Sequence, residues 1–209
     1  MAITFPYDLL TEFPGWSTEF DLLWRQEQSR MAGGQTIVKD LGSPLWTAAF
    51  QSRLLKPNEL DRWRARFKAL ENGLNQFRAW SKSRCYPIAY PGGVGIGTVS
   101  GLQLDTIATS RKAIRIKNLP AGYTGRVGDY IEIGNGNLHQ VIEDFTASGA
   151  GLSPLFEIRP HLWPVTAIND AVSVLRPACL MTLVPGSFSS TADIATGRAV
   201  IAFQAMESR

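Results

Sequence analysis

Only one long segment of this chain carries a helical pattern, "NELDRWRARFKALENGLNQF" at residues 58–77, and that restricts the fold to a mainly β class. Leu60, Trp63, Phe67, Leu70, Leu74 and Phe77 recur at spacings of three and four. That reads as a single apolar stripe of about five turns at 3.6 residues per turn. Asn58 is placed to cap the helix, with Pro57 just outside and Glu59 and Asp61 at the positive end of the dipole. The bases Arg62, Arg64, Arg66 and Lys68 fall off the stripe, and Gly73 is placed to fray the last turn.

Everything else reads as extended chain cut by turns, in keeping with 19 Gly and 12 Pro. Residues 17–55 suggest a three-strand meander, with a hairpin turn at Gly33 and Gly34 and a break at Gly42, Ser43 and Pro44. A further strand, "QFRAWSKSRCYPIAYP", follows the helix. The glycine-rich "GGVGIGTVSGLQLDTIATS" reads as an excursion away from the core. From Lys112 the chain turns to short, evenly spaced strands: "KAIRIKNL", "AGYTGRVGDYIEIG", "NLHQVIEDF" and "LSPLFEIRPHL". That spacing suggests a small barrel or sandwich. The tail adds three more strands, the last being the alternating "GRAVIAFQAME".

The expected architecture is therefore mainly β (α+β), an outer domain with one long bracing helix plus an inserted β-barrel or sandwich module. Composition shifts place the outer domain at residues 1–90 and 166–209 and the inserted module at 91–165, and imply that the outer domain would fold without the insert. A hydrophobic fraction of 44% supports a real core and argues against disorder. The formal charge of +3 is too small to imply a polyanion partner unless the charges cluster. The N-terminus lacks the basic start and apolar run of a signal peptide, and no stretch has the composition of a membrane span, so a protein made in the cytoplasm without membrane insertion is expected.

Candidate chemistry is sparse. Cys85 and Cys179 have no CxxC spacing and only His139 and His161 to join them, so neither a metal nor a redox site is expected. "GGVGIG" at 92–97 lacks the GxGxxG order and a following helix, and "GAGLSP" at 149–154 has no nucleophile elbow. Ser153, His161 and Asp170 supply the residue types of a triad without any spacing that argues for one. Glu132, Glu143, Asp144 and Glu157 lie on neighbouring strands, where a glycosidase-like pair competes with ordinary solvent-facing acids. The basic helix face is the strongest nucleic-acid signal, yet Glu59, Asp61 and Glu71 share the helix and no aromatic platform interleaves the bases. No catalytic, cofactor-binding or metal-binding residue is assigned, and no cofactor is expected.

The order of these segments resembles a known family. A β hairpin precedes "ELDRWRARFKALENGLNQFRAW", and "RVGDYIEIG…LHQVIEDFTASGAG…LFEIRPHL" follows much later. This pattern is similar to the distal tail, or tail-tip ring, proteins of long-tailed bacteriophages and phage-derived particles. "RPHL" departs from the double proline those proteins carry at the strand end. The resemblance implies a tail-tube-like β-sandwich with a helix for the outer domain. It further implies a homo-hexameric ring around the channel that DNA traverses, between tail tube and hub, with contacts to tube, hub and tape-measure proteins. The location would be the virion tail, assembled in the host cytoplasm, with the inserted module facing outward. Trp16, Trp24, Trp46, Trp80 and Trp163 then read as aromatic area for ring interfaces. The bases of the helix and Arg111, Lys112, Arg115 and Lys117 would meet acidic partners or face the channel. A carbohydrate- or receptor-binding module and a cell-wall hydrolase are the two rival expectations.

Overall fold

The computed structural model describes residues 3–208, apart from the side chain of Trp16. The described residues are mainly β with one short α-helix, and they build two hydrophobic cores. The elements run β1 (Gly15–Arg30), β2 (Thr36–Ser52), α1 (Pro57–Lys68), β3 (Phe77–Ala79), β4 (Gln103–Ile107), β5 (Ala113–Lys117), β6 (Thr124–Gly125) and β7 (Tyr130–Ile133). They continue β8 (Asn137–Val141), β9 (Phe145–Thr146), β10 (Phe156–Arg159), β11 (Val172–Ser173), β12 (Cys179–Leu183) and β13 (Ala202–Glu207).

The first core lies under an antiparallel five-stranded sheet of order β1-β2-β13-β12-β3. Alternation along β2 and β13 sends Trp46, Ala48, Phe50, Phe203 and Ala205 inward. Against that face α1 lays Leu60, Trp63 and Phe67, joined by Phe13 from the N-terminal segment. The rings interlock edge to face: Phe13 and Trp63 have centroids 5.3 Å apart, and Phe67 and Phe203 are 4.7 Å apart. Such pairs add about 0.5–1.5 kcal/mol each beyond their buried area. The N-terminal segment is fastened by Lys82, whose Nζ donates to Leu10 O at 2.8 Å and Phe13 O at 2.6 Å; burial lowers its pKa.

The helix is shorter than its periodicity predicts. Lys56 rather than Asn58 is the N-cap, Pro57 opens the first turn, and Glu59 reaches back to accept from Lys56 N at 3.2 Å. The helix stops at Lys68 because Glu71, Asn72 and Gly73 all take positive φ, reversing the chain. At Gly73, with φ 101°, an added Cβ would stand 2.6 Å from Leu183 O, so the reversal presses directly on β12. The expected stripe is thus split. Leu70 is buried in the turn, Leu74 is 79% exposed, and Phe77 is buried on β3.

The expected three-strand meander is instead one hairpin of two long strands. β2 runs straight through Gly42, Ser43 and Pro44, because two register shifts against β1 absorb the extra residues as bulges. Gly42 takes φ 150°, a value that L side chains rarely adopt.

The second core is filled by a six-stranded sheet of order β11-β7-β8-β10-β5-β4, with β6 and β9 as a separate pair. Its outer strands also meet: Gln103 bridges Ala171, Leu104 N donates to Asp170 O at 3.0 Å, and Val172 N donates to Leu102 O at 2.8 Å. The sheet therefore curls into a nearly closed barrel, which resolves the expected barrel or sandwich in favour of the barrel. Leu102 and Leu104, placed by sequence in an excursion, are buried inside it, since β4 pairs with β5. This core runs from Ile96 to Val174, so it takes in β11, which a division at residue 165 leaves outside.

The two cores touch. Leu138 of β8 belongs to the first core, where Trp46 Nε1 donates to its carbonyl at 2.7 Å, and Tyr130 of β7 packs edge to face on Trp46 at 5.6 Å. Among the described residues no helix is long and apolar enough to cross a membrane.

Candidate assembly surface

Beyond Leu22 the β1–β2 hairpin leaves the body of the protein. Every residue from 23 to 41 is exposed. The two strands form an arm roughly 30 Å long, at about 3.4 Å per residue. Cross-strand pairs such as Glu27 with Lys39, Gln28 with Val38 and Ser29 with Ile37 hold it together, and the 31–35 turn closes it through Met31 N to Gln35 O at 2.9 Å. A two-stranded ribbon in water is marginal without a layer beneath it. This one nonetheless exposes Leu23, Trp24, Met31, Ile37, Val38 and Leu41. Ile37 and Val38 are consecutive on one strand, so the arm shows apolar surface on both faces. β1 is also the edge of the five-stranded sheet and offers its outer row of backbone groups to a partner.

The face of that sheet opposite α1 bears outward positions Ser17, Glu19 and Asp21 on β1, Thr47, Ala49 and Gln51 on β2, and Ala202 and Gln204 on β13. These are small, polar or acidic; Met206 of β13, opposite Thr47, and Arg78 of β3, opposite Leu180 and paired with Glu132, lie on the same face. Toward the root of the arm the same face turns apolar: Leu23 pairs with Leu45, and Leu180 lies across Ser208, whose N–H donates to the Leu180 carbonyl at 2.9 Å. Leu45 and Leu180 line a groove of about 630 Å³ between sheet and barrel, with Trp163, Pro164 and Val165 on its barrel side.

The bases singled out in the sequence mostly fold onto their own chain. Arg66 and Arg62 pair with Glu12 at 2.5 and 3.7 Å, Arg66 also lying 4.6 Å over the Trp63 ring, and the Arg66 hydrogen bond holds the Glu12 carboxyl below its usual pKa. Arg64 donates to Ser190 O and pairs with Asp61 at 3.3 Å. Arg111 donates to the carbonyls of Leu162, Trp163 and Thr166, and Lys117 to Asn169 Oδ1 at 2.5 Å. Arg115 lies part-buried on β5, while Lys68 and Lys112 are exposed.

The catalytic candidates are separated. Ser153 is buried, accepting from Ile116 N at 2.9 Å and donating to Pro154 O at 2.8 Å. His161 Nε2 lies 3.0 Å from Ser43 Oγ, and Asp170 accepts from Ala167 N at 2.9 Å. His139 is buried and its Nδ1 donates to Pro160 O at 2.8 Å. The four carboxylates do not converge on a shared site: Glu132 pairs with Arg78, Asp144 with Arg126 and Glu157 with Arg159, while Glu143 accepts from Glu157 N at 3.0 Å. Neither Cys85 nor Cys179 forms a disulfide, and no group of three or more His, Cys, Asp or Glu among the described residues is placed to hold a metal.

No family model matches this chain, and a search of curated proteins finds no match.

Two corrections concern the aromatics. Trp46 and Trp80 are buried in the first core, so they are packing residues and not interface area; among the described side chains Trp24, on the arm, is exposed and Trp163 is half-buried. The side chain of Trp16 lies outside the described residues. The arm itself escaped sequence reading because Gly42, Ser43 and Pro44 mimic a strand break. The signal that marks it is the run "TIVKDL", apolar at neighbouring positions where a half-buried strand would alternate.

Proposed function

We propose that this chain is a structural protein of a phage tail, forming a ring at the distal end of the tail tube that joins the tube to the tail-tip hub. The segment pattern around "RVGDYIEIG" and "LFEIRPHL" supports the family, and a mainly β body with one helix on a sheet is compatible with it. The observation that carries the reading is the arm: a ribbon exposed along residues 23–41, apolar on both faces, whose natural cover is another subunit.

The outward face of the five-stranded sheet supports a channel wall. Binding to DNA rests on Lys and Arg neutralising phosphates. A face bearing Glu19 and Asp21 among small polar residues holds a polyanion off, which suits passage and not capture. The barrel then stands away from the channel, on the outside of the ring.

The test is where the protein sits in the particle. Electron images of tailed particles containing a tagged copy should show a six-fold ring at the distal end of the tube. Finding the tag in the capsid, at the neck, or only in lysed host cytoplasm overturns the proposal.

A further inference from the structure

We propose that the arm of one copy seats in the sheet–barrel groove of the next copy, so that the subunits join head to tail. This rests on the ring reading above and names the contact that would close the ring. The arm and the groove are two different apolar surfaces on one chain. The arm offers Trp24, Ile37, Val38 and Leu41; the groove offers Leu45, Leu180, Trp163 and Val165, the last 83% exposed. The arm grows out of the Leu23–Leu45 pair at the edge of that groove, so it points away from its own seat and is free for a neighbour's.

Charge favours the pairing. The arm carries Arg25, Arg30 and Lys39 against Glu27 and Asp40, an excess of one positive charge, while Asp21, one cross-strand step from the Leu23–Leu45 pair, is the acid beside the seat and Arg78, opposite Leu180, is neutralised by Glu132. Such complementarity fixes register and favours encounter. Area explains the expected behaviour. A ribbon roughly 30 Å by 10 Å covers several hundred Å² on one side, short of the ~800 Å² per partner of a standard interface. A single arm contact is therefore weak. A closed ring, in which each copy both gives an arm and receives one, doubles the area per subunit and favours closure over open pairs.

The experiment separates the two halves of the contact. One variant replaces residues 25–43 by Asn-Gly, a two-residue hairpin turn, and carries Trp24→Ser; it keeps the seat and loses the arm beyond its root. The other carries Val165→Lys with Leu45→Lys, keeping the arm and spoiling the seat. In sedimentation at concentrations high enough for a single weak contact to form, each alone should self-associate at least about tenfold more weakly than wild type, and an equimolar mixture should form a dimer and nothing larger. Self-association of either variant at the wild-type level, or a mixture that stays monomeric, overturns the seat. A photo-crosslinking side chain at Val38 in the otherwise wild-type protein reads the contact without disturbing the groove. Intermolecular products should map to Trp163, Val165 or Leu180, and products mapping elsewhere also overturn it. The ring reading is judged separately by the particle images: a six-fold ring with arms crosslinked elsewhere removes the seat alone.

Discussion

Arg78 Nη2 stands 2.7 and 2.9 Å from the two carboxylate oxygens of Glu132, tying β3 of the first core to β7 of the second. Glu132 is buried and also accepts from Gly136 N at 3.1 Å and Ala178 N at 3.0 Å. One carboxylate thereby holds the β3 strand, the β7–β8 turn and the segment leading into β12. Removing one partner of a buried pair costs about 3–5 kcal/mol, and Glu132→Ala, which also strands two backbone N–H groups, should reach that range. Arg78→Ala leaves the buried Glu132 carboxylate with backbone N–H partners alone, so it should cost a comparable amount, about 3 kcal/mol. Urea unfolding of both variants checks this, and a loss below about 1 kcal/mol at Arg78 would contradict it.

The end of the helix separates two of its apolar residues. Trp63→Ala or Phe67→Ala should each cost about 3–5 kcal/mol, as aromatic truncations in cores do. Leu74→Ala should fall within about 0.5 kcal/mol of wild type, because its side chain is already in water. Equal losses at Phe67 and Leu74 would restore the longer helix.

Excising the barrel should not leave a stable remainder. Replacing residues 92–165 by a Gly-Ser linker removes Leu138 and Tyr130 from Trp46 and leaves Val172 and Val174 without their core. The product should lose its cooperative melting transition and bind a hydrophobic dye. A sharp melt near the wild-type temperature would show that the two cores are independent.

Substitutions on the arm should separate assembly from folding. Trp24→Ser with Val38→Ser should change monomer stability by no more than about 0.5 kcal/mol, because both side chains are exposed. Incorporation into tails should nevertheless fall sharply, as measured by the amount of protein co-purifying with particles.

Acid should destabilise the fold with a defined sign. Glu12 and Glu59 are held below their usual pKa by hydrogen bonds from Arg66 and Arg53, Asp144 by the Val127 N–H, and Asp193 by the Thr196 side chain. Their stabilisation is present above the ordinary carboxylate values of 4.5 and 3.8 and is lost as pH falls through the lowered folded values. Asp129 acts oppositely: burial raises its pKa, so its folded form gains relative stability as pH falls through that raised value toward 3.8. Asp129→Asn should therefore lose more stability than wild type between pH 7 and pH 3. A smaller loss on acidification would contradict the assignment.

The sequence by itself determined the local alternation. Period-two patterns in "KAIRIKNL" and "GRAVIAFQAME", and the glycine turn between β7 and β8, correspond to strands and a hairpin in the structure, because strand faces and tight turns depend on neighbouring residues. Tertiary structure decided where patterns stopped and what they met. The stripe from Leu60 to Phe77 is periodic throughout, yet the reversal at residues 71–73 makes it a helix, a turn and a strand, because Gly73 has to clear Leu183 O on a strand over a hundred residues later. Gly42, Ser43 and Pro44 look like a break, but β1 pairs across them, Gly42 opposite Arg25, with the extra residues at Ser43–Pro44 and Leu41 taken up as bulges. The barrel closes through Leu104 and Asp170, and the cores join through Arg78 and Glu132, pairs far apart in sequence that no local rule connects. The arm was hidden for the same reason: whether Ile37 and Val38 face a core or open water depends on what lies beneath the ribbon, and only the folded chain leaves that space empty.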